Sequence, residues 1–365
     1  PGRQQLWHPT KTPIGVSNLP DPYSGTVPHV MDTKEVYRVA EAYINTAKRL
    51  ADCGFDGVEL HGAHGYLITQ FLSAASNIRD DEFGGDTVSR TLFIRNIAQG
   101  IKEACGKNFI VGLKMPADEG VEGGVDPNEA EQITGLLSAT NNFDYFSYGQ
   151  GNFSLSLENH VPDLYFREGH FIDLHKRMRA AANGVPVMAL GRIGTAQLAE
   201  DVIENGNGDL VGMSRALITD AALPQKAQLG DIKDIRPCVF DNFSWGEIHL
   251  GKPLTEHHNP YLGKKDEAFF RLKPAEFSKR VVVAGSGPAG LEAAWVAAAR
   301  GHGVTLFCAS PDLGGSLMTE SALPGRSDMA QIINHQIHLG NTYGVEYVLN
   351  HKVTRSDIAE FGADT

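Results

Sequence analysis

The sequence predicts an α/β protein with a parallel sheet, either open or closed into a barrel, followed by a smaller nucleotide-binding unit. Over the first two thirds of the 365 residues, short apolar runs alternate with helical periodicity. This alternation is typical of parallel strands connected by helices. At Arg280 a new strand pattern begins and runs into Gly285-x-Gly287-x-x-Gly290. That glycine spacing opens the first helix of dinucleotide-binding domains.

Five strands are predicted in the first part of the chain, at residues 55–60, 109–115, 144–148, 185–190 and 209–212. Helical periodicity lies before and between them, at residues 34–52, 91–103, 127–139, 172–182 and 195–205. We therefore divide the chain into three parts. A sheet domain covers residues 1–230, an irregular linker covers 231–278, and a Rossmann-like domain, which we expect to be incomplete, covers 279–365.

The composition narrows the class of protein. Lys and Arg number 32 against 44 Asp and Glu, a formal net charge of −12, which argues against binding to nucleic acid. The longest apolar stretch, residues 281–299, is interrupted by glycine, proline and Glu292, so we expect strand, turn and helix there and no association with a membrane. Four widely spaced cysteines predict no disulfide framework, and the expected location is the reducing cytoplasm.

Three side chains that can transfer protons follow the first predicted strand: His61, His64 and Tyr66. Parallel barrels build their active sites from the loops at the carboxyl ends of the strands. Two imidazoles and a phenol can hold an oxyanion or an amine and deliver a proton. One histidine at a strand end would more often be structural, but three such groups within six residues favour a catalytic role.

A longer motif surrounds these residues. It comprises His61-Gly-Ala-His64-Gly-Tyr66-Leu, Gln70-Phe-Leu-Ser, Asn77-x-Arg79-x-Asp81-x-Phe83-Gly84-Gly85 and Arg90. This motif resembles the old yellow enzyme superfamily of FMN barrels, and within it the multidomain branch that contains trimethylamine dehydrogenase and 2,4-dienoyl-CoA reductase. The resemblance implies a (β/α)8 TIM barrel whose first three strands are absent from this chain, Pro1-Gly2-Arg3 matching the segment after the third. It further implies that His61 and His64 contact the substrate, that Tyr66 is a proton donor, and that the run from Asn77 shapes the barrel mouth.

The same resemblance assigns FMN contacts to the ends of later strands. Lys114 occupies a position near flavin N1 where the family usually has arginine, and a cation there stabilises the reduced flavin. Two short segments match the phosphate-binding strand ends of the family, where backbone N–H groups and guanidinium groups can bind the dianion. Their residues are Gly191 and Arg192, then Gly212, Ser214 and Arg215.

The linker departs from the family, whose members carry a four-iron, four-sulfur cluster on four cysteines. Here the four positions are Cys238, Asp241, Ser244 and Glu256, and one thiolate does not hold such a cluster, so we expect no iron–sulfur cluster. Thiolate, carboxylate and imidazole together suit zinc. The candidate ligands are Cys238, Asp241 and His257, with Glu256 or His258 as the fourth. The alternative is a loop with exposed histidines that binds nothing.

The second domain keeps the dinucleotide fingerprint at Gly285, Gly287 and Gly290 but has Cys308 where an acidic residue would hold the ribose. The fold is therefore predicted, while the nucleotide stays open. A working FAD or NAD(P) site and an ADP-only or vestigial site are equally compatible with these residues.

The loop after the third predicted strand bears on the substrate. Its polar residues Glu158, His160 and Asp163 make it similar to demethylases that act on dimethylglycine or N-methylproline. We therefore expect oxidative N-demethylation of a methylated amine, with electrons leaving through a partner protein or a second flavin subunit of an oligomer. An NAD(P)H-dependent enoate or 2,4-dienoyl-CoA-type reductase is the first alternative. A non-catalytic assembly subunit, which would lack flavin, is the second.

Overall fold

A computed structural model describes residues 2–4, 11–265, 267 and 272–365. The chain divides into two compact units. The barrel unit comprises Pro1–Pro162, Glu168–Ile193 and Gln197–Gly212, and the C-terminal unit comprises Asp163–Arg167, Gly194–Ala196 and Met213–Thr365. The predicted linker, residues 231–278, groups with the C-terminal unit, and Pro1 lies outside the described residues.

The barrel unit contains a five-stranded parallel sheet in which neighbouring strands are consecutive in the chain. After a short parallel pair, β1 (Ile14–Gly15) and β2 (His29–Val30), the sheet is formed by β3 (Gly57–His61), β4 (Ile110–Pro116), β5 (Tyr145–Gly149), β6 (Val187–Ala189) and β7 (Leu210–Val211). Each is followed or preceded by helices: α1 (Thr33–Asp52), α2 (Leu67–Leu72), α3 (Thr87–Arg90), α4 (Leu92–Cys105), α5 (Pro127–Ser138), α6 (Leu157–His160), α7 (Ile172–Ala181) and α8 (Ala196–Glu204). This strand–helix succession confirms the predicted α/β barrel architecture.

Local sequence signals explain where the helices of the barrel unit begin. Asp32 caps α1 by accepting a hydrogen bond from the Glu35 N–H at 2.8 Å, and the Glu35 side chain caps the Asp32 N–H in return. This reciprocal cap satisfies two N–H groups that the helix itself leaves unpaired. The apolar faces of α1 and α4 then pack together and bury Val36, Phe93 and Ile97 almost completely.

The motif run after α2 forms a hydrogen-bonded scaffold. The Asn77 side-chain amide donates to the carbonyls of Phe71 and Phe83, at 2.7 and 2.8 Å. The Arg79 guanidinium donates to the Met31 carbonyl at 2.7 Å and also pairs with Asp81. These contacts give the run a structural function, which is the function that the resemblance implies for it.

The C-terminal unit begins with α9 (Arg215–Thr219), α10 (Leu223–Leu229), the 3-10 turn Ile232–Asp234 and α11 (Phe243–His249). A three-stranded parallel sheet in the order β10-β9-β8 follows, built from β8 (Arg280–Ala284), β9 (Gly303–Phe307) and β10 (Glu346–Val348). Its helices are α12 (Pro288–Ala299), α13 (Ser316–Ser321), α14 (Ala330–Thr342) and α15 (Arg355–Phe361). Leu291, Leu306 and Ile333 form its core, as the predicted Rossmann-like domain requires. Across the part of the chain that the structure describes, no helix is both long and apolar enough to cross a membrane.

Candidate active site

The three predicted catalytic side chains converge at the carboxyl end of β3. The His61 and His64 rings are 5.1 Å apart between centroids, and the His61 and Tyr66 rings are 5.2 Å apart. His61 ends the strand, while Tyr66 immediately precedes α2. The structure therefore brings two imidazoles and one phenol close together at the barrel mouth. In parallel barrels, the loops at this end form the active site.

His64 takes an unusual backbone conformation that the surrounding loop holds in place. Its φ of 64° lies in the left-handed region, which a non-glycine residue adopts at a cost. The His64 carbonyl accepts a hydrogen bond from the Phe153 N–H at 3.1 Å. The neighbouring Asn152 amide donates to the buried Glu119 carboxylate at 2.8 Å. The loop after β5 thus fixes the direction in which the His64 ring projects.

A glycine that the sequence analysis did not single out makes room for the His64 ring. A Cβ atom on Gly149, the last residue of β5, would lie 2.5 Å from His64 Nε2, which is closer than any real contact. Its neighbour Gly151 has a left-handed φ of 74° and starts the loop that carries Asn152. The signal in the sequence was Gly149-Gln-Gly151 directly after a predicted strand, a pattern that marks close backbone approach.

Of the three predicted substrate residues, His160 lies in this cluster. Its ring stacks on the His64 ring with centroids 3.6 Å apart and an angle of 28° between the planes. Phe153 stands edge-on to it at 6.2 Å. Glu158 is exposed on α6. Asp163 belongs to the C-terminal unit, where its carboxylate accepts a hydrogen bond from the Tyr165 N–H at 3.0 Å.

Burial sets the protonation of these groups. The pKa of His64 is far below the usual value because the ring is 9% exposed and because His160, His61 and the Lys114 ammonium repel a further positive charge. The same combination of burial and the Lys114 charge lowers the pKa of His61. Burial raises the pKa of Tyr66. At neutral pH the cluster consists of a neutral imidazole pair and a protonated phenol.

Lys114 lies on β4, beside His61 at the end of β3. In the sheet register His61 pairs with Lys114, and Lys114 pairs with Ser147. Lys114 Nζ is 3.5 Å from the Glu59 carboxylate, which also accepts a hydrogen bond from the Ser147 hydroxyl at 2.8 Å. Lys114 therefore provides a positioned cation close to His61. A cation at such a position would stabilise the anionic reduced form of a flavin.

The predicted phosphate-binding residues fall in both units. In the barrel unit, Gly191 has a left-handed φ of 103°, and a Cβ there would lie 2.8 Å from the Phe171 ring. Arg192 follows with φ 53° and a buried side chain, so a tight turn after β6 presents a guanidinium. A Cβ on Gly212, after β7, would lie 2.1 Å from the Leu190 side chain. These glycine turns and the Arg192 and Lys114 cations fit the needs of an FMN molecule.

In the C-terminal unit, Ser214 immediately precedes α9 and Arg215 is its first residue. The Arg215 guanidinium donates to the Asn242 side-chain oxygen at 2.6 Å and lies 4.7 Å above the centre of the Phe240 ring. The assignment of Ser214 and Arg215 to the flavin phosphate stays a prediction.

The fingerprint glycines of the C-terminal unit have the geometry that the motif predicts. Gly285 has φ 113°, and no atom would contact a Cβ on Gly285 or Gly287 within 4 Å. A Cβ on Gly290 would lie 2.0 Å from the Gly285 carbonyl oxygen, so the helix packs on the strand only with glycine there. Open space above the first two glycines and close packing at the third are what a bound pyrophosphate needs. Cys308 is buried with its sulfur 2.9 Å from the Ser286 hydroxyl.

The predicted metal ligands are only partly assembled. His257 Nδ1 is 3.3 Å from the Asp241 carboxylate. Within the described ranges, the residues whose ligand atoms all lie within 4.8 Å of one another are Glu256, His257 and His258. Cys238 is not among them, and its side chain packs in an apolar cluster with Ala216, Leu223 and Phe240. The geometry thus favours Glu256 and His258, rather than Cys238, as metal ligands beside His257.

Comparison with known proteins agrees with this combination of an α/β barrel that fits FMN and a dinucleotide-binding unit. Residues 4–233 match the NADH:flavin oxidoreductase / NADH oxidase family, and residues 283–348 match the NAD(P)-binding Rossmann-like domain. The chain belongs to the first of these families, the old yellow enzyme family of flavin-dependent oxidoreductases.

Individual relatives carry different activities. The chain is 34% identical over 317 residues to an NADH oxidase of Thermoanaerobacter brockii, covering 86% of this chain and 48% of that protein. It is 31% identical over 374 residues to an N,N-dimethylglycine/sarcosine dehydrogenase of Chromohalobacter salexigens, covering 100% and 53%. A solved 2-naphthoyl-CoA reductase superposes with a TM-score of 0.90 at 27% identity, covering 97% and 54%. The chain therefore spans about half the length of the curated relatives it matches.

Proposed function

We propose that this protein is an FMN-dependent dehydrogenase that oxidatively demethylates a methylated amine or amino acid of the dimethylglycine type. The observation that carries the proposal is the stacking of the neutral His64 ring on the His160 ring at 3.6 Å, beside Tyr66. The groups that act on the pKa of His64 are burial and three basic side chains. The same surroundings lower the pKa of an amine bound there, because they penalise the ammonium form.

A neutral amine is the reactive form for this chemistry, since its nitrogen lone pair stabilises the carbon from which hydride leaves. When bound, FMN would supply the acceptor for the hydride that leaves the N-methyl group. The amine is thereby oxidised to an iminium ion, and water then adds to it and releases formaldehyde and the shorter amine. Tyr66, protonated at neutral pH because burial raises its pKa, can donate a hydrogen bond to a substrate carboxylate or to the attacking water.

Each protein residue in this proposal has a separate task. Lys114 would hold the pyrimidine side of the flavin, and Arg192 would hold its phosphate. His160 and Phe153 would form an aromatic wall that excludes water and binds the methyl groups. His61, at the end of β3, would accept a hydrogen bond from the substrate.

A flavin in this site would need an electron acceptor. We propose that a partner protein or a second flavin subunit in an oligomer accepts its electrons, with the nucleotide site at Gly285–Gly290 holding FAD, NAD(P) or ADP. Open space above Gly285 and Gly287 supports a bound nucleotide there.

Anaerobic reduction of the bound flavin tests the main proposal. The purified protein is mixed with N,N-dimethylglycine, sarcosine or N-methylproline, and the flavin absorbance and formaldehyde are followed. We expect bleaching with one formaldehyde per flavin, and the same result in His29→Ala, a variant at an exposed ion pair with Glu35. Absence of bleaching by every methylated amine would contradict the proposal.

An enoate reductase is the second candidate, and the Tyr66–His61 pair is the observation that favours it. A protonated phenol 5.2 Å from an imidazole, between ring centroids, suits proton delivery to the α-carbon of an unsaturated acid whose carbonyl is held by His61 and His64. NADH oxidation that depends on cinnamate or a dienoyl thioester, without bleaching by amines, would support this candidate. Protein without any flavin would instead support a non-catalytic assembly subunit.

A further inference from the structure

A cluster of metal-ligating atoms in the C-terminal unit is separate from the residues used above. It consists of the turn Glu256–His258 and the Asp241 carboxylate. Glu256 Oε1 lies 3.0 Å from His258 Nδ1 and 3.4 Å from His257 Nδ1, and His257 Nδ1 lies 3.3 Å from Asp241 Oδ2. Four ligands at the usual zinc bond lengths around a tetrahedral centre stand about 3.3 Å apart. All three separations are close to that edge, although Asp241 lies outside the set whose ligand atoms are all within 4.8 Å of one another.

The hydrogen-bonding pattern leaves a proton or a cation as the explanation for the shortest of these contacts. His258 Nε2 is 2.7 Å from the Pro237 carbonyl oxygen, so Nε2 donates to it and, in the neutral ring, Nδ1 presents a lone pair. That lone pair faces the carboxylate oxygen Glu256 Oε1. Both atoms are buried, and neither has a hydrogen-bond partner of acceptable geometry among the described residues. Two facing acceptors repel each other unless a cation or a proton lies between them.

The surroundings also match a metal site. Metal-binding histidines usually donate their second ring N–H to a carbonyl or carboxylate, as His258 does to Pro237. Asp241 is oriented in the same way, because its Oδ1 accepts a hydrogen bond from the Phe243 N–H at 3.1 Å. This leaves Oδ2 directed at His257. The Phe243 ring stands edge-on to the His257 ring at 5.1 Å.

Space and charge are consistent with one divalent cation. A cavity of about 10 Å³ is lined by Asp241, Glu256 and His258 together with Cys238, while His257 is not among its lining residues. Its volume is about that of one water molecule or ion. The carboxylates of Asp241 and Glu256 offset the charge of a doubly charged ion. Arg215 also lines the cavity, but its guanidinium is bound to the Asn242 oxygen at 2.6 Å.

We propose that Glu256, His257 and His258 bind one zinc ion, with Asp241 beside His257 and Cys238 outside the ligand set. The alternative is that His257 and His258 are protonated and form ion pairs with the neighbouring carboxylates. The two possibilities differ in stoichiometric metal binding and in its dependence on single ligands, and neither depends on whether the barrel oxidises amines.

Metal titration of the chelator-treated full chain, without an affinity tag, tests this. Zinc is measured by calorimetry, and Co²⁺ serves as an optical probe of geometry. We expect one zinc ion per chain and tetrahedral cobalt bands without a thiolate-to-cobalt charge-transfer band. His258→Ala and the nearly isosteric Glu256→Gln should weaken zinc binding at least 100-fold. His249→Ala, at an exposed histidine ending α11, and Cys238→Ser should bind as the wild type does.

Three results would overturn the proposal. The first is wild-type binding no tighter than that of Glu256→Gln, which would leave the ion pairs as the explanation. The second is a thiolate-to-cobalt charge-transfer band together with loss of zinc binding in Cys238→Ser, which would show that Cys238 is a ligand. The third is iron with acid-labile sulfide in the purified protein. Circular dichroism of each variant separates loss of binding from loss of folding.

Discussion

The two histidine clusters of this protein differ in the groups that face the imidazole rings. At the barrel mouth, His64 is stacked on His160 and lies near His61, and Lys114 adds to the positive surroundings. In the C-terminal unit, His257 and His258 face the carboxylates of Asp241 and Glu256 at 3.0 to 3.4 Å. The first cluster disfavours any positive charge, and the second attracts one.

This difference separates two uses of the same side chain. Imidazoles that repel a proton stay neutral and act on a bound substrate through hydrogen bonding and stacking. Imidazoles that face carboxylates either hold a proton permanently or ligate a cation. The residue type alone therefore carries little information about function, and the neighbours of each ring decide it.

The largest effect is expected from removing the proton-bearing groups at the barrel mouth. Tyr66→Phe and His64→Gln should each lower the rate of flavin reduction by the cognate substrate about 100-fold, the range for loss of a group that orients the reacting carbon. Rapid-mixing spectroscopy under anaerobic conditions measures this rate. Glu256→Gln serves as the matched variant from the other cluster and should leave the rate unchanged. A rate in Tyr66→Phe within about threefold of wild type would contradict a function of Tyr66 in orienting the substrate.

His175, which belongs to neither cluster, shows the effect of burial alone on the pKa of a histidine. His175 on α7 is completely buried, its Nε2 lies 2.6 Å from the Leu190 carbonyl oxygen, and burial lowers its pKa from 6.5 to about 4. Because the unfolded chain binds a proton more readily than the folded one, stability falls as the pH drops from 6.5 towards 4. Between pH 7 and pH 5 this contribution amounts to about 2 kcal/mol.

Urea unfolding at pH 7 and pH 5 checks this contribution by comparing the wild type with His175→Gln. Glutamine keeps an N–H donor for the Leu190 carbonyl but does not titrate. We therefore expect the variant to lose about 2 kcal/mol less stability than the wild type over this interval. An equal loss in both proteins would mean that His175 already binds a proton in the folded state.

The parts of the site that lie close together in the sequence could be predicted from it. His61, His64 and Tyr66 follow one strand within six residues, so the end of that strand positions all three. His160 was proposed with Glu158 and Asp163 because they share a loop. The fold separates them, since Asp163 belongs to the C-terminal unit and Glu158 is exposed on α6.

The predicted metal ligands show what residue spacing alone does not reveal. Spacing between cysteine positions gave Cys238 as a ligand. In the structure, however, Cys238 packs with Ala216, Leu223 and Phe240 in an apolar cluster, where a thiolate is unfavourable. The approach of Glu256 to two consecutive histidines depends on the turn that they form, and no spacing rule encodes it. Burial and local turn geometry, rather than residue type, therefore determine which side chains can ligate.

The smallest effect concerns the space that holds the His64 ring in its stacked position. Gly149 needs no left-handed backbone, but an alanine Cβ there would lie 2.5 Å from His64 Nε2, so the ring must turn away from His160. We expect Gly149→Ala to keep its flavin and to reduce it about tenfold more slowly, which corresponds to about 1.4 kcal/mol in the barrier. Gly135→Ala is the matched control, because its Cβ on α5 would meet nothing closer than the Ala181 carbonyl oxygen at 4.0 Å. That variant should react at the wild-type rate and gain up to about 1 kcal/mol in stability from better helix propensity. Equal flavin reduction rates in the two variants would show that the stacked position of His64 has no effect on the reaction, and the contrast between the two clusters would then rest on charge alone.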